Sequence, residues 1–469
     1  MNRIINDCFF FFKNPPHILK LGDRMIKILW GITSILMVLS GIYFTKVIKE
    51  IQFRPCKMIQ RIRQAGKQKQ GISSYNALMM TLAGRIGVGS LAGVALSIYL
   101  GGPGSIFWMV IMTFISAANA YAETIIAMKY REKEGPYLYV GGPPYYIKHG
   151  LKRPLLGKIV ACLIIVVYVF GFLSIQANTI TKSMMSLVNI NPLLIGILIG
   201  GLTLGIILKG IKSISKTTGK MVPIIGGLYL LFSFFIIIKH ITYVPEIIQM
   251  IIREAFHVKP FLSGFLVAMI VGIQRSIFSN EAGIGTGAIA ASTASTDDAV
   301  SQGYMQIIGV YITTLVISVA TAFVILLSDY QTLMLSDVNG IELTQYAFVK
   351  FLGNPGTIVV MLSIILFAFS TIIAGYYYGE SSLKLLTNKK QYIWILKIVT
   401  ITMLVLSSVI SPTTIWNMVD ILIAVLGIIN ILVLLKLKTV VVAETRKPTR
   451  QQTNRLSHDK MKQPSSNSD

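Results

Sequence analysis

Ser279, Asn280 and Glu281 stand side by side in FSNEAGIGTGAIAAS (Phe278 to Ser292), followed by glycines at 283, 285 and 287. Glycine-rich backbone can bring N–H groups close to an anion, and carbonyls freed from a helix can hold a cation. The chain around these residues is oily enough to lie in a membrane, where every backbone group must be satisfied internally and a buried carboxylate is costly. The segment is therefore either not a span or the place where the protein works.

A second segment shares the pattern. LAGRIGVGSLAG (Leu82 to Gly93) aligns Gly87-Val88-Gly89-Ser90 with Gly283-Ile284-Gly285-Thr286, with Arg85 before one glycine pair and Glu281 before the other. Close helix packing through small residues would explain either segment alone. It explains both less well, because packing does not need the charges. Glycine-interrupted spans at matching places in two halves point to a secondary transporter of inverted repeats, with a binding site near mid-membrane.

The elements that must position these segments can be counted. The chain has 469 residues, 54% hydrophobic and 13% charged, against about 25% charged in soluble domains; its mean hydropathy is positive. This composition predicts an all-α polytopic membrane protein embedded in a lipid bilayer. Apolar runs near the ~20 residues a span requires fall at 26–46, 75–99, 104–128, 159–186, 192–209, 221–239, 261–290, 303–328, 355–383, 391–410 and 413–436. Eleven spans put the termini on opposite sides. The second glycine-broken segment comes five spans after the first, and an odd offset inverts the second copy.

The net charge of +24 would suggest nucleic acid on a soluble surface. Here it sits in alternate connections: Lys46 to Lys69, Lys129 to Arg153, Lys209 to Lys220, Lys384 to Lys390, and from Lys436 onward. The positive-inside rule then places the C-terminus in the cytoplasm and the N-terminus outside, with no nucleic-acid partner. Residues 1–25 read as an extension, 26–440 as one transporter domain with repeats over about 74–240 and 260–437, and 441–469 as a cytoplasmic tail. Cys8, Cys56 and Cys162 are scattered and the five histidines show no ligand spacing, so neither a disulfide framework nor a transition-metal site is expected. No HExxH or GxSxG signature supports an enzyme. No oligomeric state is read from the sequence.

At GVGSLAGVALSIYLGGPGSIFWM (87–109), YAETIIAMKYRE (121–132), GGPPYYIKHGL (141–151), IQAN (175–178), FSNEAGIGTGAIAA (278–291) and FAFSTIIAGYYYGE (367–380), the sequence resembles the alanine or glycine:cation symporters. The resemblance runs from about Gln52 to Leu435. It implies a fold like that of the bacterial leucine transporter, two inverted five-helix repeats preceded here by one extra helix. It also implies plasma-membrane uptake of small neutral amino acids such as alanine and glycine, coupled to sodium and less often to protons, without a cofactor.

A zwitterionic amino acid needs N–H donors for its carboxylate and acceptors for its ammonium. The turn Gly87-Val88-Gly89 is the expected carboxylate site, and carbonyls around Phe278 and Ser279 the expected ammonium acceptors. Gln176 matches a family glutamine placed on substrate; its alternative, like that of Asn178, is interhelical bonding. A sodium site of the type common in this fold would use carbonyls of Ala83 and Ile86 with hydroxyls of Ser370 and Thr371, whose alternative is bonding back to their own helix. Glu281 is expected to pair with Arg275 or Arg85 as a structural clamp, or else to carry a proton. Glu123 and Glu380 read as caps or gate ion pairs near cytoplasmic span ends.

The chain departs from the family pattern at Val88 (commonly Thr), Ser90 (commonly Asn) and Gly375 (commonly Trp). The Gly375 change should enlarge the pocket, and together the departures bear on substrate size and on any second cation site. They also keep open a diverged amino-acid sensor that no longer transports.

Overall fold

The computed structural model describes residues 17–65, 70–185, 188–256, 263–334, 340–410 and 412–447. Cys8 and most of the expected N- and C-terminal segments lie outside them. Among the described residues, nine helices are long and apolar enough to cross a membrane, and two shorter apolar helices, Pro192–Ile207 and Gly264–Asn280, accompany them. All eleven expected spans correspond to helices.

The first helix, α1 (His17–Val47), starts inside the segment read as an extension. A short basic helix, α2 (Pro55–Gln64), follows it. The second span is broken into α3 (Ser74–Arg85) and α4 (Val88–Gly101). Its start is set by Ser73, whose hydroxyl accepts the Asn76 N–H at 3.1 Å, a typical N-cap. Its most apolar stretch is wholly buried inside the protein, so its broken backbone meets protein and not lipid, as the membrane requires.

Helix α5 (Gly104–Tyr130) leads to a two-stranded antiparallel hairpin, β1 (Glu132–Lys133) with β2 (Tyr139–Val140). This hairpin departs from a strictly all-α reading. It hands the chain to α6 (Pro143–His149) and then to α7 (Pro154–Met185), the fourth span. Two further helices, α8 (Pro192–Ile207) and α9 (Gly210–Lys239), complete the first half, and α10 (Val244–Ala255) leads to the second.

The seventh span is broken into α11 (Ser263–Asn280) and α12 (Thr286–Ala291). Between them φ is positive at Glu281 (51°), Gly283 (89°) and Gly285 (94°). The two glycines accept this backbone freely. Glu281 holds a left-handed conformation that costs a non-glycine residue on the order of 1–3 kcal/mol. The chain continues through α13 (Ala299–Leu327), α14 (Tyr330–Met334), α15 (Gly340–Leu352), α16 (Asn354–Leu386), α17 (Lys390–Ser407), α18 (Pro412–Lys436) and α19 (Lys438–Thr445).

Both broken spans pack at the centre, with α11 against α4 and α5 and α12 against α3. Helices α7 and α13 each contain one π segment, Val166–Phe172 and Ile312–Ser318. A π turn shifts the facing of the residues around it and is frequent at functional sites. Both lie beside the breaks.

Candidate functional site

The first break is held from two sides. Gln176 on α7 accepts the Val88 N–H through Oε1 at 3.2 Å. The Thr371 hydroxyl on α16 donates to the Ala83 carbonyl at 2.7 Å and also contacts the carbonyl of Phe367 on its own helix at 3.0 Å. Gly87 fits between them. A Cβ there would lie 2.5 Å from Thr371 Oγ1 and 3.0 Å from Gln176 Oε1, so a side chain would push both away from the break. Ile86 ends α3, its N–H bonded to the Leu82 carbonyl at 2.6 Å. Ser370 takes the alternative reading, its hydroxyl donating to the Phe367 carbonyl at 2.8 Å.

Gly89 faces the other broken span. A Cβ there would meet Phe278 Cδ1 at 3.1 Å and the Phe278 carbonyl at 3.3 Å. The Phe278 ring packs on Phe172 with centroids 5.4 Å apart, forming an apolar wall. Beneath it the hydroxyls of Ser90 and Ser279 lie 3.1 Å apart, as do those of Ser279 and Ser318. Asn280 donates to the hydroxyls of Thr314, Ser276 and Ser116. Ser318 and Thr314 belong to the π segment of α13, and no pattern in the sequence marked them.

The structure thus brings together Ala83, Ile86, Gly87, Val88, Gly89, Gln176, Phe278, Ser279 and Thr371. Gly375 turns elsewhere: its missing side chain accommodates Leu173 Cδ1 and Tyr168 Cδ1, 2.7 and 2.9 Å from an added Cβ. Asn178 ties α7 to the end of α17, donating to the carbonyls of Ser407 and Ile410 at 3.1 and 2.9 Å.

The charges pair differently from expectation. Arg275 pairs with Asp420 on α18 at 3.4 Å, and Gln274 donates to the same oxygen. Glu281 accepts the Thr286 hydroxyl at 2.8 Å. Arg85 donates to the Gln306 carbonyl at 3.4 Å and acts electrostatically on both Glu123 and Glu281. Glu123 is not at a surface gate. It is fully buried and accepts the Gly283 N–H at 3.2 Å and the Asn430 side-chain amide at 3.3 Å. Asn430 also donates to the Gly283 carbonyl at 2.8 Å and accepts from the Tyr146 hydroxyl. Asn280 accepts the Ala282 N–H at 3.0 Å. The unwound turn therefore has fixed partners, which the spacing of the sequence did not disclose.

Past the second break, Arg131 donates to the carbonyls of Ser292, Ala294 and Thr296. Its guanidinium lies 3.8 Å from the Tyr139 ring centroid. Arg61 pairs with Asp298 at 3.2 Å. Glu380 pairs with Lys384 at 2.8 Å, and Lys384 reaches Glu134 at the same distance. The last two pairs agree with the ion-pair reading of Glu380.

Comparison with known proteins gives these features a family. A probable sodium/glutamine symporter, GlnT, from Bacillus subtilis is 35% identical over 441 residues, 93% of this chain and 91% of its own. A sodium/alanine symporter, AgcS, from Methanococcus maripaludis is 32% identical over 440 residues, 91% and 96%. A solved structure of a Na+-coupled sialic acid symporter, in a substrate-bound outward-open state, is 14% identical and covers 88% of this chain and 82% of its own, with a TM-score of 0.49. The sodium:alanine symporter family matches residues 18–463, and this chain belongs to it, as a multi-pass transporter and not an enzyme.

Proposed function

We propose that the protein couples sodium influx to uptake of a small neutral amino acid by alternating access. The observation that carries this reading is the convergence at Gly87. There a backbone amide, the Gln176 side chain and the Thr371 hydroxyl, bonded to the Ala83 carbonyl, meet within one buried turn. The substrate carboxylate binds the amides of Gly87, Val88 and Gly89, displacing Gln176 Oε1 from Val88 so that its amide group turns toward the ligand. The ammonium binds carbonyls at Phe278 and Ser279. Sodium binds the carbonyls of Ala83 and Ile86 with Thr371, and Ser370 joins only by leaving its bond to Phe367.

The rings of Phe172 and Phe278 and the tight fit at Gly89 favour a short apolar side chain, alanine or glycine. The relatives are named for alanine and for glutamine, which makes glutamine the first competitor to test. Spans two to six and seven to eleven form inverted repeats over about 74–240 and 260–437 in a leucine-transporter-like arrangement. The basic connections support a cytoplasmic C-terminus and an N-terminus outside the plasma membrane.

The test is uptake of radiolabelled alanine into proteoliposomes under an imposed sodium gradient or an imposed proton gradient, with glycine and glutamine as competitors. Sodium-driven accumulation blocked by glycine is the expected result. Accumulation driven by protons alone would replace the coupling ion. Binding without accumulation under either gradient would mark a sensor.

A further inference from the structure

Three charges near the second break lie outside the proposed set of substrate and sodium contacts. Arg85, Glu123 and Glu281 are 2%, 0% and 1% exposed, so water cannot screen them. They come from three elements: Arg85 from the end of α3, Glu123 from α5, and Glu281 from the left-handed turn after α11. Arg85 acts on both carboxylates, and Glu281 acts on Glu123. Among the described residues no second basic side chain acts on either one. Arg275, the nearest candidate in sequence, pairs with Asp420. Fully ionised, the cluster would hold two negative charges against one positive, and an uncompensated buried charge is strongly unfavourable. One positive charge is missing.

The hydrogen bonds say which carboxylate accommodates it. Glu123 accepts a backbone N–H and a side-chain amide N–H, donors fixed by the fold that suit an anion. Glu281 accepts the hydroxyl of Thr286 and interacts with that of Tyr168, groups that can rotate to accept as well as donate. Its Oε1 is buried and, among the described residues, has no hydrogen-bond partner. The groups around Glu123 present hydrogens, whereas a sodium ion would need lone pairs. Among the described residues, no cluster of three or more His, Cys, Asp or Glu side chains is placed to hold a metal ion.

We infer that Glu281 binds one resident proton, which leaves Glu123 and Arg85 as a balanced buried pair behind the transport site. This proton is separate from the coupling ion. The groups facing it are Arg85 on α3, Glu123 on α5, Tyr168 on α7 and Tyr378 on α16, with Tyr146 on α6 reaching Glu123 through Asn430. The inference rests on charge and burial and not on the transported solute, so a failed uptake assay would leave it standing.

Its test is thermal unfolding of the purified full-length chain in detergent, from mildly acidic to alkaline buffer, with sodium or with choline as the cation. The wild type should lose several degrees of melting temperature toward alkaline pH, because releasing the proton leaves a net negative charge in the interior. Glu281→Gln carries the neutral carboxamide in place of the protonated acid and should lose this dependence. Glu123→Gln should lose it too, while the double variant strands Arg85 and should melt lower at every pH. The infrared spectrum of the wild type at neutral pH should contain a protonated carboxylic acid band, a reading that needs no variant to fold. Absence of that band overturns the inference, as does an alkaline loss in Glu281→Gln equal to that of the wild type. If sodium abolishes the wild-type dependence and Glu281→Gln loses radiosodium binding, the missing charge is sodium and the proton assignment fails.

Discussion

The Arg85 guanidinium lies against Gly287, where an added Cβ would stand 2.5 Å from Nη2 and 3.2 Å from Cζ. One broken helix thus supplies the longest cationic side chain and the other supplies the absence of a side chain. The two interrupted spans are keyed together at this contact.

Gly287→Ala should therefore behave as an overpacking mutation. Arg85 has little room to retreat, because Gly309 approaches its Nη1 from another side. A loss of about 1–3 kcal/mol is expected, measured as a lower melting temperature in detergent. Combining it with Arg85→Lys, which shortens the intruding group, should recover part of the loss.

Thr371→Ala removes the hydroxyl bonded to the Ala83 carbonyl. The sodium concentration for half-maximal uptake should rise at least tenfold, about 1.4 kcal/mol of binding. Thr371→Ser should restore most of it. An unchanged sodium dependence in the alanine variant would remove this hydroxyl from the ion site.

Asp420→Asn leaves Arg275 without its carboxylate in a buried setting. Breaking a buried ion pair from one side costs about 3–5 kcal/mol, so the monodisperse fraction on size exclusion should fall sharply. Replacing both residues with apolar side chains of similar volume should fold better than the single variant.

Outside the membrane, Glu132 is pushed up by partial burial, but Lys148 and His149 outweigh this and hold its carboxyl below the ordinary value of 4.5. Its stabilising effect is present above that ordinary value and disappears as pH falls through the lowered one. Glu132→Gln should therefore be less stable than wild type at neutral pH. The gap should close in acid, as read from paired melting curves.

The breaks were legible because few residues other than glycine tolerate the backbone at positions 283 and 285, and because a charge before a glycine pair is rare in lipid-facing helix. The partners that hold those breaks were not. Glu123 lies in an apolar helix and meets Gly283 160 residues away, a contact that no local period encodes. Asp420 likewise sits in an apolar span with nothing nearby to announce Arg275. Ser318 and Thr314 face the site only because α13 adds a π turn, which shifts its facing from the ordinary helical repeat. Gly375 was read as an enlarged pocket, but its open side is filled by Leu173 and Tyr168; the loss of a large side chain at one position did not reveal which neighbour moved in.

Arg131 grips three alternate carbonyls, at Ser292, Ala294 and Thr296, with a single planar fork stacked on Tyr139. Letting go of one carbonyl relieves little while the other two remain fastened. Parting this end of the molecule therefore means loosening all three carbonyls together, like a buckle and not a sliding door.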